Sequence, residues 1–198
     1  MDFTLSKEQE MARTLFRDFS EKEIKPLAQE IDEEERFPAE TLEKFRKYQF
    51  MGIPYPKEVG GAGCDTLTYE ICLEEISKVC ATTATMLSAH TSLGTWPILK
   101  FGAFALTEPN AGTDSSAQQT KAVLDGDHYV LNGSKIFITN GGYADTYIVF
   151  AMTNKSLGNH GISAFIVEKN FPGFSVGKKE KKMGIRGSAT CELIFENC

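Results

Sequence analysis

The sequence predicts an α+β protein of two domains: α-helical over residues 1–102, then an antiparallel β-barrel or sandwich over 103–198. Two observations carry this. In the first half apolar residues recur every three to four positions, the period of a helix with one buried face. From Ala103 onward short apolar runs alternate with Gly- and Pro-rich turns, the pattern of an antiparallel barrel or sandwich. An apolar content of 41% is ample for a real core.

The elements follow in order. Ser6-Lys7-Glu8-Gln9 forms a capping box, with Ser6 as N-cap and Gln9 three positions on. Met11, Leu15 and Phe19, with Phe16 beside them, then predict the buried stripe of a first helix. Pro26 lacks an N–H and forces a kink or break near Lys25. Pro38 suits the start of a second helix carrying Leu42 and Phe45. Gly60-Gly61-Ala62-Gly63 has neither a preceding apolar strand nor a following Lys-Ser/Thr, so it reads as a turn and not a phosphate cradle. Leu67, Ile71, Ile76 and Val79 mark a third helix, and a fourth covers 83–93. Met86 and Phe101 are read as packing residues.

In the second half, Asp125-Gly126 and Asn132-Gly133 both read as hairpin turns, the latter joining strands over 129–131 and 136–139. Further strands are predicted over 147–152, 162–167, 174–176 and 189–195.

A net charge of −6 argues against a nucleic-acid face. Lys178-Lys179-Glu180-Lys181-Lys182 is the local exception and reads either as a solvated turn or as a contact for an anionic ligand or partner. No apolar run reaches the ~18 residues of a membrane span. Met1-Asp2-Phe3-Thr4 shows no basic region ahead of an apolar block, so no secretory leader is expected. Five cysteines without a CxxC pair are expected as free thiols. His90, His128 and His160 lie far apart in sequence, and no metal site is expected.

The stretch that carries chemistry is Ala103-Phe104-Ala105-Leu106-Thr107-Glu108-Pro109-Asn110-Ala111-Gly112-Thr113-Asp114. An apolar run ends abruptly in hydroxyls, carboxylates and glycine. Glu108 and Asp114 disfavour a bare phosphate ligand, which favours open amides and usually a lysine. Ser134-Lys135-Ile136-Phe137-Ile138-Thr139-Asn140-Gly141-Gly142 is a second apolar run with one aromatic, ending in a hydroxyl and a glycine pair. Two readings fit the pair of segments. A planar heterocycle could be packed on Phe137 and rimmed by Thr107 and Thr139. Alternatively, these are two strand ends with ordinary turn residues.

The first of these segments resembles the flavin-binding signature of the acyl-CoA dehydrogenases, and Lys135 through Gly141 resembles the family's second flavin segment. Met183-Gly184-Ile185-Arg186-Gly187-Ser188 and Pro172-Gly173-Phe174 are similar to later parts of its middle domain. Asp32-Glu33-Glu34-Glu35-Arg36-Phe37-Pro38 and Pro56-Lys57-Glu58-Val59-Gly60-Gly61 are similar to its N-terminal helical domain. The likeness runs along essentially the whole chain and is nearest to the short-chain, butyryl-CoA branch.

The resemblance implies FAD as cofactor and α,β-dehydrogenation of a short-chain acyl-CoA as reaction, with electrons passed to an electron-transferring flavoprotein. It implies that Phe104, Ala105, Leu106 and Thr107 contact the flavin ring through main-chain groups and the Thr107 hydroxyl. Gly112 and Thr113 would lie by the FAD pyrophosphate, with Thr113 also near the substrate's pantetheine arm. Phe137 would pack on the ring, where many relatives have Trp, and Ile138 and Thr139 would complete its hydrogen bonds. A homotetramer is implied for the complete protein, cytoplasmic in a bacterium or in the mitochondrial matrix otherwise.

Two departures from the family pattern are expected to matter. Relatives carry a helical segment between the Leu99-Lys100-Phe101-Gly102 end and the Ala103-Phe104 strand, whereas here Gly102 joins Ala103 directly. The family's C-terminal four-helix domain, which supplies the catalytic glutamate, is not among these residues. No catalytic residue is therefore assigned, and Glu108 is not read as the base. Two rival readings are an acyl-CoA oxidase on the same scaffold and a non-catalytic fragment that binds flavin or acyl-CoA weakly.

Overall fold

The computed structural model describes residues 4–95 and 102–198. Phe101 and the tract before the Gly102–Ala103 join lie outside the described residues. The chain divides into two compact units, Met1–Thr91 with Lys182–Ser188, and Ser92–Lys181 with Ala189–Cys198.

The helical unit begins with α1 (Lys7–Phe19), capped by Ser6 through both halves of the expected capping box. The regular α-helix is interrupted just before Pro26, as expected. A π-helical turn over Ser20–Ile24 precedes it, and α2 (Lys25–Glu33) continues with the proline in its first turn, where a missing N–H costs least. Next come α3 (Ala39–Lys47) and α4 (Thr66–Ser77), whose N-cap Asp65 accepts a hydrogen bond from Thr68 N. The last is α5 (Ala81–Ser88), which runs on as a π-helical stretch over Ala89–Thr95.

The stripe expected on α1 is corrected. Met11 is 73% exposed and Leu15 55%, whereas Phe16 is buried. The face that turns inward holds Phe16 and Ser20. Phe16 meets Phe50 edge-on at 5.3 Å, and Phe50 in turn meets Phe19 at 4.8 Å and Phe45 at 5.5 Å. Arg17 reaches the buried carboxylate of Glu75 on α4, at 3.3 Å, and Lys78 reaches it at 2.8 Å. Leu67 on α4 is likewise exposed. Tyr69, Cys72 and Glu75 take the buried positions there beside Ile71 and Ile76. Hydrophobic spacing found Phe16, Ile71 and Ile76 but wrongly added Met11, Leu15 and Leu67, and it missed the buried Glu75 that holds its cations.

The segment Lys182–Ser188 belongs to this unit. Arg186 lies 3.6 Å from Asp32 and 3.4 Å from Glu35, and a Cβ on Gly187 would sit 2.5 Å from the Arg36 carbonyl oxygen.

The second unit is a seven-stranded mixed sheet. Its strands are β1 (Gly102–Ala105), β2 (Lys121–Asp125), β3 (His128–Thr139), β4 (Thr146–Met152), β5 (Ile162–Glu168), β6 (Phe174–Lys179) and β7 (Thr190–Phe195). The order is β1-β4-β2-β3-β7-β6, with β5 on β4. Most pairings are antiparallel, but β1 and β2 each run parallel to β4. The Asp125-Gly126 turn joins β2 to β3 as expected. All five cysteines are free. Among the described residues no helix is long and apolar enough to cross a membrane, and no cluster of His, Cys, Asp or Glu is placed to hold a metal.

Asn132-Gly133 is the main correction: it is not a turn. β3 runs unbroken through it, pairing with β2 up to Asn132 and with β7 from Gly133. The strand changes partner at the glycine, which has φ of 146°. A Cβ there would lie 2.6 Å from Thr120 Oγ1 and 2.7 Å from Thr120 Cα. Glycine is needed for close main-chain approach at a corner, a role that leaves the same dipeptide as a turn. Gly133→Ala should therefore cost about 2 kcal/mol or more, read as a fall in the urea unfolding midpoint. An unchanged midpoint would mean that Thr120 yields without cost.

Candidate functional site

The segment that follows β1 folds back at once. Glu108 N donates to the Ala111 carbonyl at 3.0 Å and Ala111 N donates back at 3.2 Å, closing a turn on Pro109-Asn110. Asp114 then caps the short turn Ser115–Ala117 by accepting from Ser116 N at 3.1 Å. Gly112 and Thr113 stand exposed between these two turns, and nothing lies within 4 Å of where a Cβ on Gly112 would point.

β3 is irregular opposite this segment. From the Lys135–Leu193 pair to the Ile138–Cys191 pair the register slips, so β3 carries one residue more than β7 over that interval. The bulge frees the Ile136 amide, which donates to the Thr107 carbonyl at 2.8 Å. It also puts Phe137 in the left-handed region, with φ of 60° and its side chain 59% exposed. An aromatic side chain rarely occupies that region, so its neighbours must hold it there.

A buried ion pair joins the two stretches. Lys135 has no exposed surface and Glu108 is 5% exposed. Lys135 Nζ donates to Glu108 Oε1 at 2.7 Å, to the Leu106 carbonyl at 3.0 Å and to Gln118 Oε1 at 3.1 Å, which uses all three of its donors. The Glu108 carboxylate also accepts from Gln119 N and, at 3.0 Å, from Thr120 N. Burial pushes the Glu108 carboxyl up. The Gln119 amide, Lys135 and Thr120 outweigh it and hold the group below the usual carboxylate range. Burial draws Lys135 down, with Glu108 opposing. Glu108 is thus an ionised, fully engaged structural carboxylate, unsuited to act as a base.

The sequence-predicted residues distribute as follows. Phe104 is half-buried against Phe150, 5.1 Å away, and Ala105 is fully buried opposite Val149. Leu106 and Thr107 give their carbonyls to Lys135 and Ile136. Ile138 is buried, and its carbonyl accepts from Gly141 N at 3.1 Å. Thr139 pairs with Thr190. The hydroxyls of Thr107, Thr113 and Thr139 make no hydrogen bond among the described residues. The ion pair and the Ile136 amide thus bring the 104–107 and 135–139 stretches together. Gly112 and Thr113 lie beyond the next turn and make no hydrogen bond to them among the described residues.

Sequence reasoning missed Lys135 and Gln118. The signal was present for the lysine, because alternation from buried Leu131 puts Lys135 on the same, inward side of β3.

An exposed aromatic held on a bulge and three hydroxyls without a partner among the described residues suit a flat heterocycle with acceptors at its edge. The chain thus pairs a helical unit with a β unit that carries this candidate site. The family model for the acyl-CoA dehydrogenase N-terminal domain matches residues 6–108, and that for the middle domain matches 103–198. The chain belongs to the acyl-CoA dehydrogenase family.

It is 59% identical to a short-chain specific acyl-CoA dehydrogenase of Clostridium acetobutylicum, over all of this chain and 57% of that protein. That alignment runs to 216 residues against the 198 here, so the relative has residues without a counterpart in this chain. Among solved structures, it matches a chain of the electron transferring flavoprotein work on Acidaminococcus fermentans with a TM-score of 0.96 and 50% identity. It matches butyryl-CoA dehydrogenase of Megasphaera elsdenii with a TM-score of 0.94 and 46% identity. Both matches cover all of this chain and 57% of the other. The chain thus spans little more than half the length of these relatives.

Glu108→Gln should lower stability at pH 7 by about 3 kcal/mol, because Lys135 stays buried without its countercharge. A depressed carboxyl contributes stability that is complete above its ordinary value of 4.5 and is lost as pH falls through its lower folded value. The stability gap between wild type and variant should therefore narrow below pH 4.5 in urea melts taken from pH 7 to 3. A gap that stays constant with pH would contradict the ionic assignment.

Proposed function

We propose that this chain is the FAD-binding part of an enzyme that dehydrogenates short-chain acyl-CoA thioesters, butyryl-CoA by preference. One observation carries the reading: Phe137 stands exposed on a left-handed bulge clamped to the strand end of Thr107. Family membership supplies the identity of the ring as FAD.

The residues present fit that group. Phe137 offers an apolar face to the flavin ring. Thr107 and Thr139 offer hydroxyls that can donate or accept at its edge, and the main chain of Phe104, Ala105, Leu106 and Ile138 is the part of these segments assigned to contact with the ring. Gly112 and Thr113 serve the pyrophosphate, with Thr113 also serving the pantetheine arm of the substrate. When bound, the flavin supplies the two-electron acceptor. The overall change removes a proton from Cα and a hydride from Cβ of the thioester and leaves an α,β double bond. This chain contributes placement to that change: it orients the ring and shields its apolar side from water. Proton removal belongs to a carboxylate that the family places in a further domain. Electron-transferring flavoprotein is the proposed acceptor of the electrons, and a homotetramer the proposed assembly of the complete protein. The bacterial relatives favour a cytoplasmic setting.

Titration of the purified chain with FAD, followed by visible absorption and flavin fluorescence, tests the reading. Saturable binding is expected, and Phe137→Ala should weaken it about tenfold, the loss of one aromatic stacking contact. Absence of binding, or binding indifferent to Phe137, would overturn it. In the complete protein, dye-coupled oxidation of butyryl-CoA is expected without rapid oxygen consumption; fast oxygen consumption would favour an oxidase.

A further inference from the structure

We propose that Lys135 and Glu108 are positioning residues of the flavin site, fixing where the Thr107 hydroxyl and the Phe137 ring stand without touching the ligand themselves. This rests on the flavin reading above.

Three observations carry it. First, the pair joins segments that the sheet does not. β1 and β3 are separated in the strand order by β4 and β2, yet Lys135 on β3 grips Leu106 and Glu108 just past the end of β1. Second, the lysine has no donor to spare and no exposed surface, so any effect on a ligand must pass through the groups it holds. Third, those groups flank the ligand-facing ones. Leu106 precedes Thr107, whose carbonyl takes the Ile136 amide, and Ile136 precedes Phe137 in its left-handed conformation.

Energetics point the same way. Desolvating two charges offsets most of their attraction, and well-packed apolar residues of similar volume often stabilise a core as well or better. A pair retained here is thus poorly explained by stability alone. Geometry explains it. A lysine that must meet Leu106, Glu108 and Gln118 together permits one placement of the strand end against the bulge. An apolar pair would permit several.

The test is the double variant Glu108→Leu with Lys135→Met, compared with the unaltered chain. Urea melts report folding, and peptide-resolved amide exchange compares 134–139 with 128–132 on the same strand. FAD titration reports affinity and the absorption spectrum of the bound flavin. The variant should fold, exchange at least about tenfold faster over 134–139 with 128–132 unchanged, and bind FAD at least about tenfold more weakly with a shifted spectrum. Equal exchange and equal FAD affinity and spectrum in both proteins would overturn the proposal. If the double variant does not fold, Glu108→Gln, which keeps the shape of the side chain, is judged by the same two comparisons. No FAD uptake by the unaltered chain would instead bring down the flavin reading and the role built on it. Uptake by both proteins alike brings down only the role of the pair.

Discussion

A lysine and a glutamate shut away from water hold together two stretches of chain that the sheet leaves unpaired. Everything distinctive about the site depends on that contact. The turn after β1 is drawn onto β3 because Glu108 must reach Lys135 and the Gln119 and Thr120 amides. β3 carries an extra residue at the same level, so the Ile136 amide turns from β7 to Thr107. The left-handed Phe137 follows as the next residue. A buried charge is costly unless every lone pair and proton is met. Here the lysine's three donors are all met by named acceptors, and that completeness makes the arrangement specific.

Two kinds of polar group divide the work. Lys135, Glu108 and Gln118 are sealed in and spend their hydrogen bonds on the protein. Thr107, Thr113 and Thr139 keep their hydroxyls free of partners among the described residues. The first group sets geometry, and the second is available to a ligand. The glycine at the β3 corner belongs with the first group. Without a side chain at Gly133, β3 passes close to Thr120 and can leave β2 for β7 just before the bulge. The helical unit is held differently, by a cluster of Phe16, Phe19, Phe45 and Phe50 and by the cations around Glu75.

Much of this was legible in the residues. The Ser6–Gln9 capping box, the Asp125-Gly126 turn and most strands stand where local chemistry put them, because each depends on neighbours in sequence. The misreadings share a cause. Asn132-Gly133 has the composition of a hairpin, but its glycine answers to Thr120, far back in the chain on the other side of the Asp125-Gly126 turn. Met11 and Leu15 have helical spacing, but Phe16 is the better core filler and takes the buried face. Lys135 looked like an ordinary strand residue, since its partners Leu106, Glu108 and Gln118 come from an earlier stretch of the chain. Of the candidate site, the two segments singled out in the sequence are the ones the structure brings together. The ion pair that joins them was not legible, because complementarity between distant residues leaves no local period.

What occupies the surface around Phe137 decides the role proposed for these residues. A crystal structure of the chain with FAD, or of the complete protein carrying it, tests this most directly. The flavin ring is expected against the Phe137 side chain, with the Thr107 and Thr139 hydroxyls in hydrogen-bond range of its edge and the Lys135–Glu108 pair intact. A flavin seated elsewhere, with Phe137 still facing solvent, would contradict that role.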